Sequence, residues 1–224
     1  MATKTEPKRL SDWLAWEVDA RYARKVVTVL AGSGADRVLT EGMVLGAVTK
    51  GAATAAAKAG GNSGNGTFGT ITVGADAKPG VYRLTIIEPA TDAGAFMVQD
   101  PDGIVIGSGT VAVAFSAGGL GFTLGDGSNN FVAGDAFDIT VAAGSGKVVQ
   151  LDLAGTTGIE DAIGVLIGPT TAPASVDASG VMLVRGPAVV KTNGLVWPAG
   201  ITSDQKNIAL AQLERAGILA RTDV

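Results

Sequence analysis

The sequence predicts a mainly β protein (α+β) with one C-terminal helix. Its 224 residues include 33 glycines and only eight prolines, a composition that suits many short strands joined by tight turns. Between residues 67 and 141, β-branched and aromatic runs recur at roughly 8–12-residue spacing. One stretch near the C-terminus has helical periodicity with its own start and stop signals. β structure is therefore expected to dominate.

The first 24 residues are more polar than the rest and carry two tryptophans. Leu10, Trp13 and Leu14 stand at helical spacing, which is consistent with a short amphipathic helix docked on the core. The same residues are consistent with an arm that becomes ordered on a partner, because aromatic side chains dominate interface energetics. The residues alone leave both interpretations open.

Arg24–Val29 predicts a strand from its β-branched residues, and segment 38–49 predicts a strand pair bent at Gly42. Segment 51–66 is rich in Ala, Gly, Asn and Ser, so a flexible linker is expected there. The glycines within 64–69 match G-x-G-x-x-G, but a dinucleotide site needs a preceding strand and a following helix. Here a linker precedes and an apparent strand follows, so the phosphate-binding interpretation is rejected.

The region that follows shows evenly spaced short strands. The candidates are Thr67–Val73, Tyr82–Ile87, Phe96–Gln99, Ile104–Ile106, Val111–Phe115, Gly121–Leu124 and Phe137–Val141. About six or seven such strands indicate a small β-sandwich or barrel. Glycine-rich flanks at Gly60–Gly61 and Gly144–Gly146 predict an inserted domain over 59–146. Its aspartates lie in or beside turns, where this residue bonds its own backbone, and no catalytic pair or calcium loop is singled out.

The C-terminal part predicts further strands and the helix. Lys147–Leu153 reads as a strand, segment 158–167 is ambiguous between strand and helix, and segment 181–190 is a strand broken by Gly-Pro. Ser203 is expected to cap a helix that Gly217 ends, with a short returning strand after it.

Four residues of this region are predicted to pack. Ile208 and Leu213 lie on the apolar stripe of the helix. Trp197 and Pro198 form a rigid turn that directs a large apolar side chain toward that helix.

Composition excludes several classes of function. The chain has no cysteine and no histidine, which removes disulfides, thiolate nucleophiles, the usual zinc ligands and the Ser-His-Asp triad. We therefore expect neither an enzyme nor a cofactor. The net charge of −4, mixed along the chain, argues against a nucleic-acid-binding face. No apolar run approaches a membrane span and the N-terminus lacks a signal-peptide core, so a soluble protein made in a cytoplasm is expected.

Three segments carry a resemblance to a known family. The ending LVWPAGITSDQKNIALAQLERAGILAR (195–221) resembles the C-terminus of the phage head decoration proteins, the lambda protein D-like family. RKVVTVLAG (24–32), with the Gly-containing strand pair that follows, resembles the opening of that core, and VMLVRGPAVV (181–190) resembles its V-x-x-x-R-G-P-A-x-V segment. The resemblance covers roughly 21–50 and 147–221.

The resemblance implies a β-clip-like bent-ribbon core with one helix. It implies an N-terminal capsid-binding arm over 1–24, a discontinuous core over 25–58 and 147–224, and the insert over 59–146. It further implies a homotrimer that binds the major capsid protein on the outer surface of an expanded head and stabilises it without chemistry. The candidate arm residues are Lys8, Arg9, Leu10, Trp13 and Leu14. The candidates for core or trimer packing are Trp197, Pro198, Ile208 and Leu213.

Two alternatives stay open at this point. The β insert is also consistent with a receptor- or glycan-binding module that the virion displays toward a host surface. A carboxylate-dependent hydrolase is disfavoured by the missing histidine and by the lack of a polar cluster.

Overall fold

The computed structural model describes residues 6, 8–91 and 93–222. It divides into a terminal unit, Met1–Val48 with Gly146–Val224, and a central unit, Thr49–Ser145. The strands in chain order are β1 Leu14–Glu17, β2 Arg24–Val29, β3 Arg37–Leu39, β4 Val44–Ala47, β5 Lys50–Ala57, β6 Thr72–Val73, β7 Gly80–Ala90, β8 Ala93–Gln99, β9 Val105–Thr110, β10 Ala114–Ala117, β11 Leu120–Thr123, β12 Ala136–Ala143, β13 Val148–Gln150, β14 Gly164–Ile167, β15 Thr170–Ala172, β16 Ala178–Leu183, β17 Ala188–Lys191 and β18 Ile218–Arg221. The α-helices are α1 Ala20–Ala23 and α2 Ser203–Arg215, and two 3-10 turns span Leu10–Asp12 and Thr192–Gly194.

The terminal unit is built on a small closed barrel with strand order β13-β2-β16-β14-β4. Two smaller assemblies accompany it: the sheet β1-β17-β18 and the ribbon β15-β3. Strand β4 is buried along its whole length, as expected for a short apolar strand covered on both faces. The mainly β class with a C-terminal helix is thereby confirmed.

Several predicted elements of this unit are confirmed. Strand β2 has the bounds expected from its β-branched residues. The bend at Gly42 has φ +79°, a conformation that glycine adopts without strain. The ambiguous segment 158–167 ends in strand β14, and the Gly186–Pro187 pair separates β16 from β17.

The residue that caps helix α2 lies one position earlier than predicted. Thr202, rather than Ser203, is the N-cap: its side chain accepts from the Gln205 N–H at 3.2 Å, and the Gln205 side chain accepts from the Thr202 N–H at 2.9 Å. This reciprocal pair is a capping box, which the T-x-x-Q spacing encodes. Gly217, at φ +78°, ends the helix as predicted.

The central unit is a two-sheet sandwich. Its five-stranded sheet has the order β5-β12-β7-β8-β9 and its three-stranded sheet the order β10-β11-β6. All six phenylalanines of the chain lie here and contribute to one apolar core. Two strand predictions were wrong in detail: in 67–73 only β6 pairs as a named strand, and residues 111–113 form a turn in which Ala112 has φ +62°.

The prediction of a flexible linker over 51–66 was wrong. Strand β5 pairs with β12 from Ala57↔Phe137 to Lys50↔Ala143, so residues 50–57 belong to the central unit. The following loop is held by polar side chains. Buried Asp135 accepts from the N–H groups of Ser63 (3.0 Å) and Gly64 (2.9 Å).

Asn62 completes the attachment of this loop, because its amide pairs with the backbone of Ala136 in both directions at 2.9 Å. A composition poor in apolar residues suggested disorder, but these fixed hydrogen bonds replace the missing apolar contacts.

Candidate assembly surface

The described residues hold their buried charged side chains in local contacts. Among them, no group of three or more His, Cys, Asp or Glu side chains converges on a metal position. The buried charged residues Lys50, Asp100 and Asp135 are each tied to backbone or to an ion pair. Surfaces able to bind another protein are therefore the features to locate.

The N-terminal segment is docked on the terminal unit. Trp13 is fully buried, its carbonyl accepts from the Lys191 N–H at 2.6 Å, and its indole N–H donates to Glu41 at 3.4 Å. Two glycines make room for the side chain. A Cβ at Gly194 would lie 2.8 Å from the Trp13 Cβ, and one at Gly42 would lie 3.2 Å from the Trp13 Cδ1.

The docking buries two of the five predicted arm residues. Trp13 and Leu14 belong to the apolar core of the terminal unit, so neither side chain is available as a free anchor. Leu10 is half-buried against the same core, while Arg9 is exposed and pairs with Glu6 at 3.1 Å. Residues 1–5 and 7 of the predicted arm lie outside the described residues.

Lys8 lies beside this docked segment and is half-buried. Burial lowers the pKa of the Lys8 ammonium, against the opposing effect of the Asp12 and Glu41 carboxylates.

Strand β1 carries a bulge that turns its side chains. Leu14 pairs with Val190 and Trp16 with the next residue, Val189, so Ala15 is the extra residue. A bulge of this kind re-aims the side chains beyond it. In a regular strand Leu14 and Trp16 would lie on the same face. Here Leu14 is buried, whereas Trp16 is 52% exposed. Trp16 is the anchor candidate that the sequence reading did not single out.

An apolar surface follows Trp16 along the chain. Within 16–26, Trp16, Val18, Tyr22 and Val26 are 49–67% exposed, an arrangement we name the N-terminal apolar segment. Fixed contacts hold its backbone. Glu17 and Arg24 form a two-contact ion pair.

A cation contact orients the aromatic ring of this segment, because the Arg185 guanidinium lies 5.3 Å from the centroid of the Tyr22 ring. Exposed large apolar side chains that lie close together in a chain are candidates for a binding surface.

A cleft of about 510 Å³ runs beside this segment, between residues 9–11 and 14–17 and Arg24. Among the described strands, β1 pairs with β17 alone and so forms one edge of its sheet. The cleft and the free edge therefore adjoin the exposed Trp16.

The four C-terminal packing candidates separate into two groups. Leu213 is fully buried, and Trp197 is half-buried against the same core. Pro198 is half-buried beside Trp197. Ile208 is 54% exposed, so it takes no part in the core of its own chain. It stays a candidate for trimer packing alone.

With this surface described, comparison with known proteins decides the family. The family model of the bacteriophage lambda head decoration protein D matches residues 3–218. The chain belongs to this family. It is accordingly a structural protein of the phage head, associated with the capsid in the virion. No curated protein matches the chain.

Solved structures add no functional argument for this decoration protein. Two crystal structures of Xanthomonas campestris FlgL (space groups H3 and C2) are 18% identical with TM-scores of 0.32, over 53% of this chain and 41% and 40% of theirs. The flagellar junction protein FlgL from Legionella pneumophila is 17% identical with a TM-score of 0.34, over 46% of this chain and 34% of that chain. The decoration protein thus spans less than half of each. Its described residues include no helix with the length and apolarity needed to cross a membrane.

Proposed function

We propose that this decoration protein binds the major capsid protein on the outer surface of an expanded phage head, as a homotrimer, and stabilises the shell. Family membership supports the capsid as partner. The observation that supports this surface is the N-terminal apolar segment, where four large apolar side chains are exposed.

Stabilisation follows from linkage. A protein that binds the expanded shell and not its precursor stabilises the expanded state by RT ln(1 + [L]/Kd) per site. A trimer engages neighbouring capsid subunits simultaneously, so each further contact forms at high effective concentration. No chemical step is needed for this role.

The docked N-terminal segment defines which residues make the contact. Because Trp13 and Leu14 are buried, we assign them to holding the segment in place and assign Trp16 and Val26 to the partner. Of the five arm candidates implied by the resemblance, Trp13 and Leu14 are buried, so we propose Trp16 as the anchor in their place. The favoured partner surface is apolar at its centre with a polar rim.

Co-sedimentation with empty expanded capsids, combined with light scattering of the free protein, tests the proposal. Binding in multiples of three per local three-fold position is expected. Trp16→Ser and Val26→Ser should each weaken capsid binding or trimer formation at least tenfold, whereas Val113→Ser, a similarly exposed valine of the central unit, should not. A monomer that ignores capsids, or equal effects of all three variants, contradicts the proposal.

A further inference from the structure

The central unit has an unprotected sheet edge that faces a groove. Strand β5 ends the five-stranded sheet, because its one partner within the part of the chain that the structure describes is β12. Between Gly51 and Ala57 it contains only Gly, Ala and Thr. Sheet edges are ordinarily shielded by Lys, Pro, bulges or covering segments. Residues 51–57 contain neither Lys nor Pro, although Lys50 and Lys58 flank them and the ladder with β12 is irregular between Val141 and Ala143.

The alternation of hydrogen-bonded positions along β5 shows which of its backbone groups point away from β12. The Lys58 N–H donates to the Ala136 carbonyl at 2.9 Å, which fixes Lys58 as a bonded position in the ladder with β12. Alternation along an antiparallel pair then directs Thr54 and Ala56 toward β12 as well. The N–H and C=O groups of Ala53, Ala55 and Ala57 therefore point away from the sheet.

A groove of about 710 Å³ lies on that outward side. Ala53, Ala55 and Ala57 line one wall, and segment 66–69 with Ile71 lines the opposite wall. Segment 66–69 is itself held from behind, since Gly69 donates to the Thr123 carbonyl at 3.0 Å.

The base of the groove is apolar. Phe68 is half-buried and its ring lies 5.1 Å from those of Phe122 and Phe137, so an edge of the phenylalanine core is open to the groove.

The groove has the dimensions and the chemistry of a site for one extended strand. From Ala53 to Ala57 the free edge is roughly 13 Å long, at about 3.3 Å per residue, which matches about five residues of partner. Every lining residue is uncharged. A partner strand would bond the three outward-facing alanines through its backbone and place alternate apolar side chains over Phe68 and Ile71.

We propose that this groove binds an extended, uncharged segment of another protein, which adds to β5 as a sixth strand. Main-chain hydrogen bonds supply affinity in this mode and alternate side chains supply selectivity. Pairing of β5 with the β5 edge of a second copy is disfavoured, because each of these edges is flanked by its own segment 66–69. The proposal concerns the central unit and does not rest on capsid binding.

Residue-resolved amide exchange of the full chain tests it. The probe is an acetylated and amidated peptide of residues 136–143 carrying Asp138→Thr, because this strand already pairs with β5 and is then uncharged. Without peptide, the amides of Ala53, Ala55 and Ala57 should exchange fast and those of Thr54 and Ala56 slowly. Saturating peptide should slow the first three at least tenfold and leave the other two unchanged.

Two controls isolate the backbone contribution. The same peptide with Ile139→Pro lacks a central donor and should protect at least tenfold less. In the protein, Ala55→Pro removes an outward N–H and no bond to β12, so the variant should fold and lose peptide binding. Gly69→Leu tests the opposite wall independently. Its Cβ would have only an ordinary 3.7 Å contact with the Thr123 carbonyl oxygen, so the fold should tolerate it. The added side chain would stand at the groove wall and should also weaken peptide binding.

The outcomes are distinguishable. Exchange at the three alanines that is already slow in dilute protein, or that the peptide does not change, overturns the proposal. Protection that grows with protein concentration in the absence of peptide identifies a second copy as the occupant and also overturns it. Loss of capsid binding in the Trp16→Ser variant with normal peptide protection leaves the groove assignment unaffected.

Discussion

Replacing the central unit by a two-residue turn should leave the terminal unit folded. Strands β4 and β13 pair antiparallel with Ala47 opposite Val148. Beyond that pair, the Val48 N–H donates to the Lys147 carbonyl at 2.9 Å. The Val48 carbonyl accepts from the Gly146 N–H at 2.8 Å, a bond that the replacement removes. Residues 48 and 147 stand at a hydrogen-bonded position of the ladder, so with Asn-Gly in place of residues 49–146 the Val48 carbonyl should accept from the Lys147 N–H instead and close a hairpin with a type I′ turn.

The structure bounds the size of the effect. Each of the three apolar clusters draws its described members from one unit, so the replacement removes no member from the two terminal clusters. Shortening a loop of roughly a hundred residues to two lowers the entropic cost of closure by at most about 3 kcal/mol, since that cost grows with the logarithm of length. The folded central unit already restrains the loop ends, so the expected gain lies between zero and that bound.

Tryptophan fluorescence in a urea titration measures the terminal unit selectively. The three tryptophans Trp13, Trp16 and Trp197 all belong to that unit. The variant should unfold cooperatively with a midpoint no lower than that of the full chain.

A lower midpoint, or a non-cooperative transition, would refute the separation of the two units. A matched variant with an eight-residue Gly/Ser linker distinguishes the causes. If it folds and the Asn-Gly variant does not, the register at residues 48 and 147 is at fault rather than the independence of the unit.

Two further predictions concern single side chains. Gly194→Ala should destabilise the terminal unit by about 1–3 kcal/mol, because a Cβ there would lie 2.2 Å from the Asp12 carbonyl oxygen and crowd Trp13. Urea unfolding measures this loss of stability. An unchanged unfolding midpoint would contradict the packing described. Burial raises the pKa of Asp135, but its backbone hydrogen bonds and Lys58 outweigh this and lower it overall. Its stabilisation is therefore present above the unfolded pKa of about 3.9 and is lost as pH falls through the folded value. Asp135→Asn should weaken the central unit at neutral pH and flatten its acid dependence in circular-dichroism titrations; a parallel acid profile would refute this.

The family and the fold class were accessible from the sequence because their signals are local. The N-cap region, the apolar stripe and Gly217 mark helix α2 within a short window, and β-branched content marks β2. The prediction that failed, the flexible linker over 51–66, concerned residues whose structure depends on partners distant in sequence. Strand β5 is almost entirely alanine, glycine and threonine, and only its ladder with β12 makes it a strand. Its neighbouring loop needs Asp135, more than 70 residues away, to be ordered.

The same limit explains why the sequence did not distinguish the buried Trp13 from the exposed Trp16. Trp13 and Trp16 look equivalent as sequence, and a helical reading puts both on one face with Leu10. The chain instead enters a strand at Leu14, and one extra residue at Ala15 directs Trp16 outward. Gly194, some 180 residues later, provides the space that buries Trp13. Burial of Trp13 positions the backbone that exposes Trp16, which is why we propose that the docked segment itself contacts the partner.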